Sequence, residues 1–121
     1  MSHAIGSLAF AMTKLFYAAV TDLFFIGKIS SFAKAVNSKV VFMDSYEHLL
    51  EAIENKKPDG VIVDLNSFLT PAHIEHIRKK YGVSVTGYLP HIQTDLMNSA
   101  RKVCDVMTQG EFSNNLVKIL G

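Results

Sequence analysis

Tryptophan is absent from this chain of 121 residues, cysteine occurs once and proline three times, and these scarcities close off whole classes of protein. A single cysteine, Cys104, forms no internal disulfide and no cysteine-rich zinc site, which fits a reducing, cytoplasmic setting. Excess charge of one sign is equally scarce. Twelve Lys and Arg stand against 11 Asp and Glu, a net charge of +1, so no basic stripe marks a nucleic-acid surface. The densest cluster, Arg78, Lys79 and Lys80, reads as the solvated end of a helix. The opening MSHAIGSLAFAM lacks the basic start of a targeting signal and falls short of the roughly 20 apolar residues that span a bilayer. Neither a nucleic acid nor a membrane is expected as a partner.

What is present is a chain 49% hydrophobic, enough for one real core. Met12 reads like a natural start running into a strand, so residues 1–11 are expected to be upstream or added sequence. The division expected is an N-terminal extension over 1–13 and a single folded domain over 14–121. No linker, repeat or low-complexity stretch interrupts that domain.

Short apolar runs recur at Leu15 to Val20, Val40 to Met43, Gly60 to Val63, Val83 to Leu89 and, more weakly, Val103 to Thr108. Being β-branched and continuous rather than alternating, they predict strands covered on both faces. Helical spacing fills the gaps: Phe25, Ile29, Phe32 and Val36; Tyr46, Leu49, Leu50 and Ile53; Ile74, Ile77 and Tyr81; and finally Phe112, Leu116 and Ile119. Thr70 before Pro71 predicts an N-cap followed by proline in the first turn, and Ser45 and Thr94 are further caps. Five βα units wound by right-handed crossovers give an α/β sandwich with a parallel sheet between two helical layers.

In such a sheet the functional crevice lies beyond the carboxyl ends of the strands, where strand order reverses. The stretch GVIVDLN ends its strand on Asp64, and Asp22 follows the first strand. With the order 2-1-3-4-5 these carboxylates converge, and a divalent cation such as Mg²⁺ relieves their repulsion. Asp64 is then a candidate phosphate acceptor, and the candidate Mg²⁺ set is Asp22, Asp64 and Asn66. The plainer alternative is that Asp64, Asn66 and Ser67 form a turn or cap the next helix. Thr21, Leu89 and His91 are the other residues expected at the crevice, although a lone His after Pro90 is more often simply exposed. His73 and His76, three apart on a helix, lack an identifiable third metal ligand, and Cys104, with no second Cys, reads as a buried structural thiol. Phe24 lies off the apolar stripe of its helix and is left as an interface candidate; Tyr88 is either part of a partner surface or, more simply, a strand residue packed under a helix.

Taken in order, AAVTDLFF, VIVDLN and DVMTQGEFSNNLVKIL resemble the acidic loop, phosphoacceptor strand and last strand, loop and helix of response regulator receiver domains. DLFFIGKI, GYLPHIQTDLMNSARKV and the F-x-x-x-L spacing further resemble a divergent group of stand-alone receiver-like proteins. The resemblance covers roughly Lys14 to Leu120 and implies the flavodoxin-like (βα)5 fold. It also implies departures. The usual acid pair is Thr21-Asp22, Leu89 or Pro90 falls near the usual Ser or Thr, and Gln109 stands at the usual lysine. A charge-assisted contact worth about 1.5 to 3 kcal/mol is thereby exchanged for one near 1 kcal/mol.

The expectation is a degenerate, stand-alone receiver-like signalling domain that works by contact with another signalling protein or effector. Homodimerisation through Thr94 to Leu120 follows by analogy. One alternative is a phosphorylatable receiver of a two-component phosphorelay, with Asp64 as acceptor and weak Mg²⁺ at Asp22 and Asp64. Autophosphorylation at Asp64 would be its only chemistry. A small-ligand-binding or hydrolytic domain is the alternative of another class, but VTDLFF is no glycine-rich phosphate loop and no nucleophile elbow is present.

Overall fold

The computed structural model describes residues 13–121, so the expected extension over 1–13 lies, but for Thr13, outside the described residues. The elements run β1 (Leu15–Ala19), α1 (Leu23–Ala35), β2 (Lys39–Phe42), α2 (Tyr46–Asn55), β3 (Gly60–Asp64), α3 (Pro71–Tyr81), β4 (Val85–Leu89), α4 (Thr94–Arg101), β5 (Asp105–Thr108), α5 (Gln109–Asn114) and α6 (Leu116–Leu120). All strand pairs are parallel, in the order β2-β1-β3-β4-β5. This is the doubly wound order, with the reversal between β1 and β3.

Strand alternation divides the core in two. Tyr17, Ala19, Val61, Val63, Val85 and Leu89 face a layer formed by α2, α3 and α4, where Leu49, Ile53, Ile74, Ile77 and Ala100 are buried. Phe16, Ala18, Ile62 and Tyr88 face the other layer, where Phe25, Ile29, Phe112, Leu116 and Leu120 are buried. Each large side chain so enclosed contributes about 1.5 to 3 kcal/mol by leaving water.

Ends of elements follow local chemistry. Ser45 accepts the His48 N–H at 3.0 Å and caps α2, as the spacing predicts. Thr70 accepts the His73 N–H at 3.2 Å, with Pro71 opening α3. Gly82, at φ +67°, closes α3 in the left-handed region that a Cβ would strain. Thr94 is not a cap: it is the first helical residue of α4, and Gln93 before it makes no side-chain capping bond. The last helix is broken as well. Asn115 leaves helical geometry (φ −106°, ψ 7°), so α5 and α6 meet there with both apolar faces still turned inward.

Candidate functional site

β1 and β3 are neighbours, and their carboxyl ends carry Asp22 and Asp64 to the same edge of the sheet. Asp22 caps α1, its carboxylate accepting the Phe24 N–H at 2.9 Å. Asp64 is only 5% exposed. Its Oδ1 accepts the Asn66 N–H at 2.8 Å, and its carbonyl oxygen accepts the Ser67 N–H at 2.8 Å, so the chain turns tightly after β3. The turn role and the crevice position therefore coexist in one residue. Burial raises the Asp64 carboxyl above its ordinary range; the Asn66 N–H opposes this, the Asp22 charge adds to it, and the field of His91 pulls it back.

Which residue faces Asp64 across the sheet is settled by register. Asp64 pairs with Tyr88 on β4, and paired residues on parallel strands share a face. Leu89 points the other way, into the layer of α2 to α4, where it is 3% exposed. Its expected place in the crevice is thus taken by Tyr88. The Tyr88 ring stacks on Phe112 at 4.3 Å and 9° and lies 5.3 Å from Phe25. Its hydroxyl is buried without a hydrogen-bond partner, and burial, then the charges of Asp64 and Asp22, raise its pKa far above the ordinary phenol value. The strand-to-helix assignment for Tyr88 holds; that it looks onto the acidic site was hidden because the run from Val83 to Leu89 is apolar on both faces.

The remaining expected residues are scattered around this edge. Thr21 and His91 are exposed in the loops after β1 and β4, and Asn66 is exposed in the turn after β3. Gln109 is the first residue of α5, two positions past Met107, which pairs with Tyr88. No hydrogen bond joins Gln109 to Asp64 among the described residues. Among those residues, too, no group of three or more His, Cys, Asp and Glu gathers around a metal position. Mg²⁺ that keeps most of its waters needs only one or two carboxylates, so Asp22 and Asp64 fit a weakly held ion and would be its anchors.

Other side chains singled out by the sequence have structural employment. His73 Nδ1 accepts the Thr70 N–H at 3.2 Å, completing a capping box, and its ring stacks on Tyr46 at 3.9 Å. Cys104 is half-buried, its thiol pushed up to about 11 mainly by burial, with Asp105 adding to the shift. Two surface hollows, one lined by Arg78, Ser84 and Asp105, the other by Lys14, Asp59 and Gly60, open at the amino ends of the strands, opposite the Asp64 edge. No helix among the described residues is long and apolar enough to cross a membrane.

No protein-family model matches the sequence, and no curated protein matches it. Solved structures do match. A response regulator from Thermotoga maritima superimposes with a TM-score of 0.75 at 15% identity, covering 90% of this chain and 95% of that one. The phosphorylated cyanobacterial phytochrome response regulator RcpA gives 0.71 at 14% identity, with 89% of each chain covered. NtrX from Brucella abortus gives 0.73 at 15% identity over 89% of this chain but 26% of its own, so this chain spans about a quarter of that protein. The fold is that of a response regulator receiver domain. Asp64 ends β3, Asp22 follows β1, and Tyr88 stands level with Asp64 on β4. Sequence reasoning names Tyr88 but not its place level with Asp64, which the pairing of β3 with β4 reveals.

Proposed function

We propose that this chain is a degenerate receiver, a signalling domain that acts by binding another signalling protein or effector rather than by a phosphoryl switch. The observation that carries this reading is Tyr88. The position level with Asp64 holds an aromatic ring packed on Phe112 and fully buried, in place of a short hydroxyl free to move toward a phosphoryl group. Neutral Gln109 at the lysine position points the same way. Asp64 and Asp22 then persist as turn and cap, with Mg²⁺ at most a weak ligand. No catalytic turnover is part of this reading, and a reducing cytoplasm is its setting. The face formed by α4, β5, α5 and α6, over Thr94 to Leu120, is the proposed contact for a second copy.

The test is intact mass after incubation with acetyl phosphate and Mg²⁺, with Asp64→Ala in parallel. No added phosphoryl group on either protein is the expected result. Gain of one group by the wild type alone overturns the degenerate reading in favour of the phosphoacceptor, for which the surviving pair Asp22 and Asp64 is the favouring observation.

A further inference from the structure

The crevice carries negative charge that the chain leaves unbalanced. Asp64 is almost wholly buried, Asp22 stands at the same edge, and no Lys or Arg is paired with either among the described residues. One oxygen of Asp64 takes the Asn66 N–H; the other accepts no hydrogen bond among the described residues. A buried carboxylate without a counter-charge is costly, and so is a buried hydroxyl without a partner. Tyr88 presents that hydroxyl on the same face as Asp64. Three unsatisfied features thus meet at one place: a surplus anion, a free carboxylate oxygen and an idle phenol.

Around them the surface is apolar where water would be expected. Leu23 is 83% exposed, Phe24 69% and Ile92 83%. Leu23 and Phe24 begin α1 after β1, whereas Ile92 follows β4, so they flank Asp64, at the end of the intervening β3, on two sides. Phe24 lies edge-on to Phe25, with ring centroids 5.6 Å apart.

We propose that this edge receives a lysine or arginine side chain from a partner protein, its cation set between Asp64 and Asp22 and its apolar neighbours resting on Leu23, Phe24 and Ile92. The inference rests on the degenerate reading, since a phosphoryl group on Asp64 would fill the same place. Charge complementarity selects the occupant. An ammonium or guanidinium group brings several N–H donors, enough for the free Asp64 oxygen and the Asp22 carboxylate together. A bare metal ion satisfies the charge but leaves the apolar rim wet, and an anionic partner is repelled. Arginine and aromatic residues are enriched at the buried centre of an interface, where truncation costs most.

The experiment is selection of short random peptides displayed against the immobilised protein. Anisotropy titrations of the enriched peptides on wild type, Asp64→Asn and Leu23→Ser then follow. The expected peptides carry Lys or Arg beside apolar residues, and lose about tenfold or more in affinity on Asp64→Asn and when that cation is replaced by norleucine. Leu23→Ser, an exposed substitution, weakens them without disturbing the fold, as circular dichroism checks. Failure to enrich any peptide, enrichment of peptides with no cation, or binding indifferent to Asp64→Asn overturns the inference. The acetyl phosphate result stands apart: labelled Asp64 removes the parent reading, whereas unlabelled Asp64 with cation-independent peptides removes this inference alone.

Discussion

A carboxyl group raised above its unfolded value binds its proton more tightly in the folded state, and Asp64 is such a group. The unfolded chain then holds fewer protons than the folded one across the interval between the two values. Stability contributed by the neutral acid is complete below the unfolded value of about 3.9 and falls as pH rises through the folded value. At neutral pH the charged, buried Asp64 therefore costs stability. Asp64→Asn keeps an oxygen for the Asn66 N–H while removing the charge, so its melting temperature should exceed that of the wild type by a few degrees at pH 7. The gap should narrow as pH falls toward the unfolded value, and a melting temperature lower than wild type at pH 7 would contradict the account. Tyr88 separates ring from hydroxyl. Tyr88→Ala should cost about 3 to 5 kcal/mol in urea unfolding because the stack with Phe112 is lost. Tyr88→Phe should be neutral or stabilising, since the hydroxyl it removes has no partner. At this scale Asp64 was legible as the end of a strand and Asp22 as the residue beyond one, but the place of Tyr88 beside them was not, because two-sided burial erases the alternation that tells one face from the other.

Helix ends show the same boundary between local and distant information. The cap at Thr70 and the proline after it are written into adjacent residues, and so was the start of α3. His73 reads from sequence as a candidate ligand or a solvated ring; its acceptance of the Thr70 N–H depends on a rotamer that spacing does not give. Thr70→Ala removes an acceptor from the first turn of α3 and should lower stability by about 1 kcal/mol, read from the urea midpoint at unchanged slope. No shift in midpoint would mean that Pro71 and packing hold the turn without the cap. The break at Asn115 was illegible for a different reason. Phe112, Leu116 and Leu120 keep an i, i+4 rhythm across it, so the apolar pattern continues while the backbone does not.

For the molecule as a whole, the order of βα units, their parallel pairing and the two helical layers followed from where the apolar runs fall, because each run is long enough to be a strand and each gap long enough to be a helix. The proposed self-contact through α4, β5, α5 and α6 joins whole molecules. Sedimentation velocity over a wide concentration range should show a reversible shift from monomer to dimer, weakened by Val117→Glu, since Val117 is an exposed apolar residue of α6. Constant monomer at every concentration removes that face from the proposal. The two outer strands constrain how such a contact can form. β2 and β5 have four residues each, and they open with exposed Lys39 and exposed Asp105. So short an edge, entered past a charge, offers a second chain little backbone to pair with. Copies of this protein should therefore meet side by side through helices and stay in solution, rather than zip their sheets into a continuous ribbon.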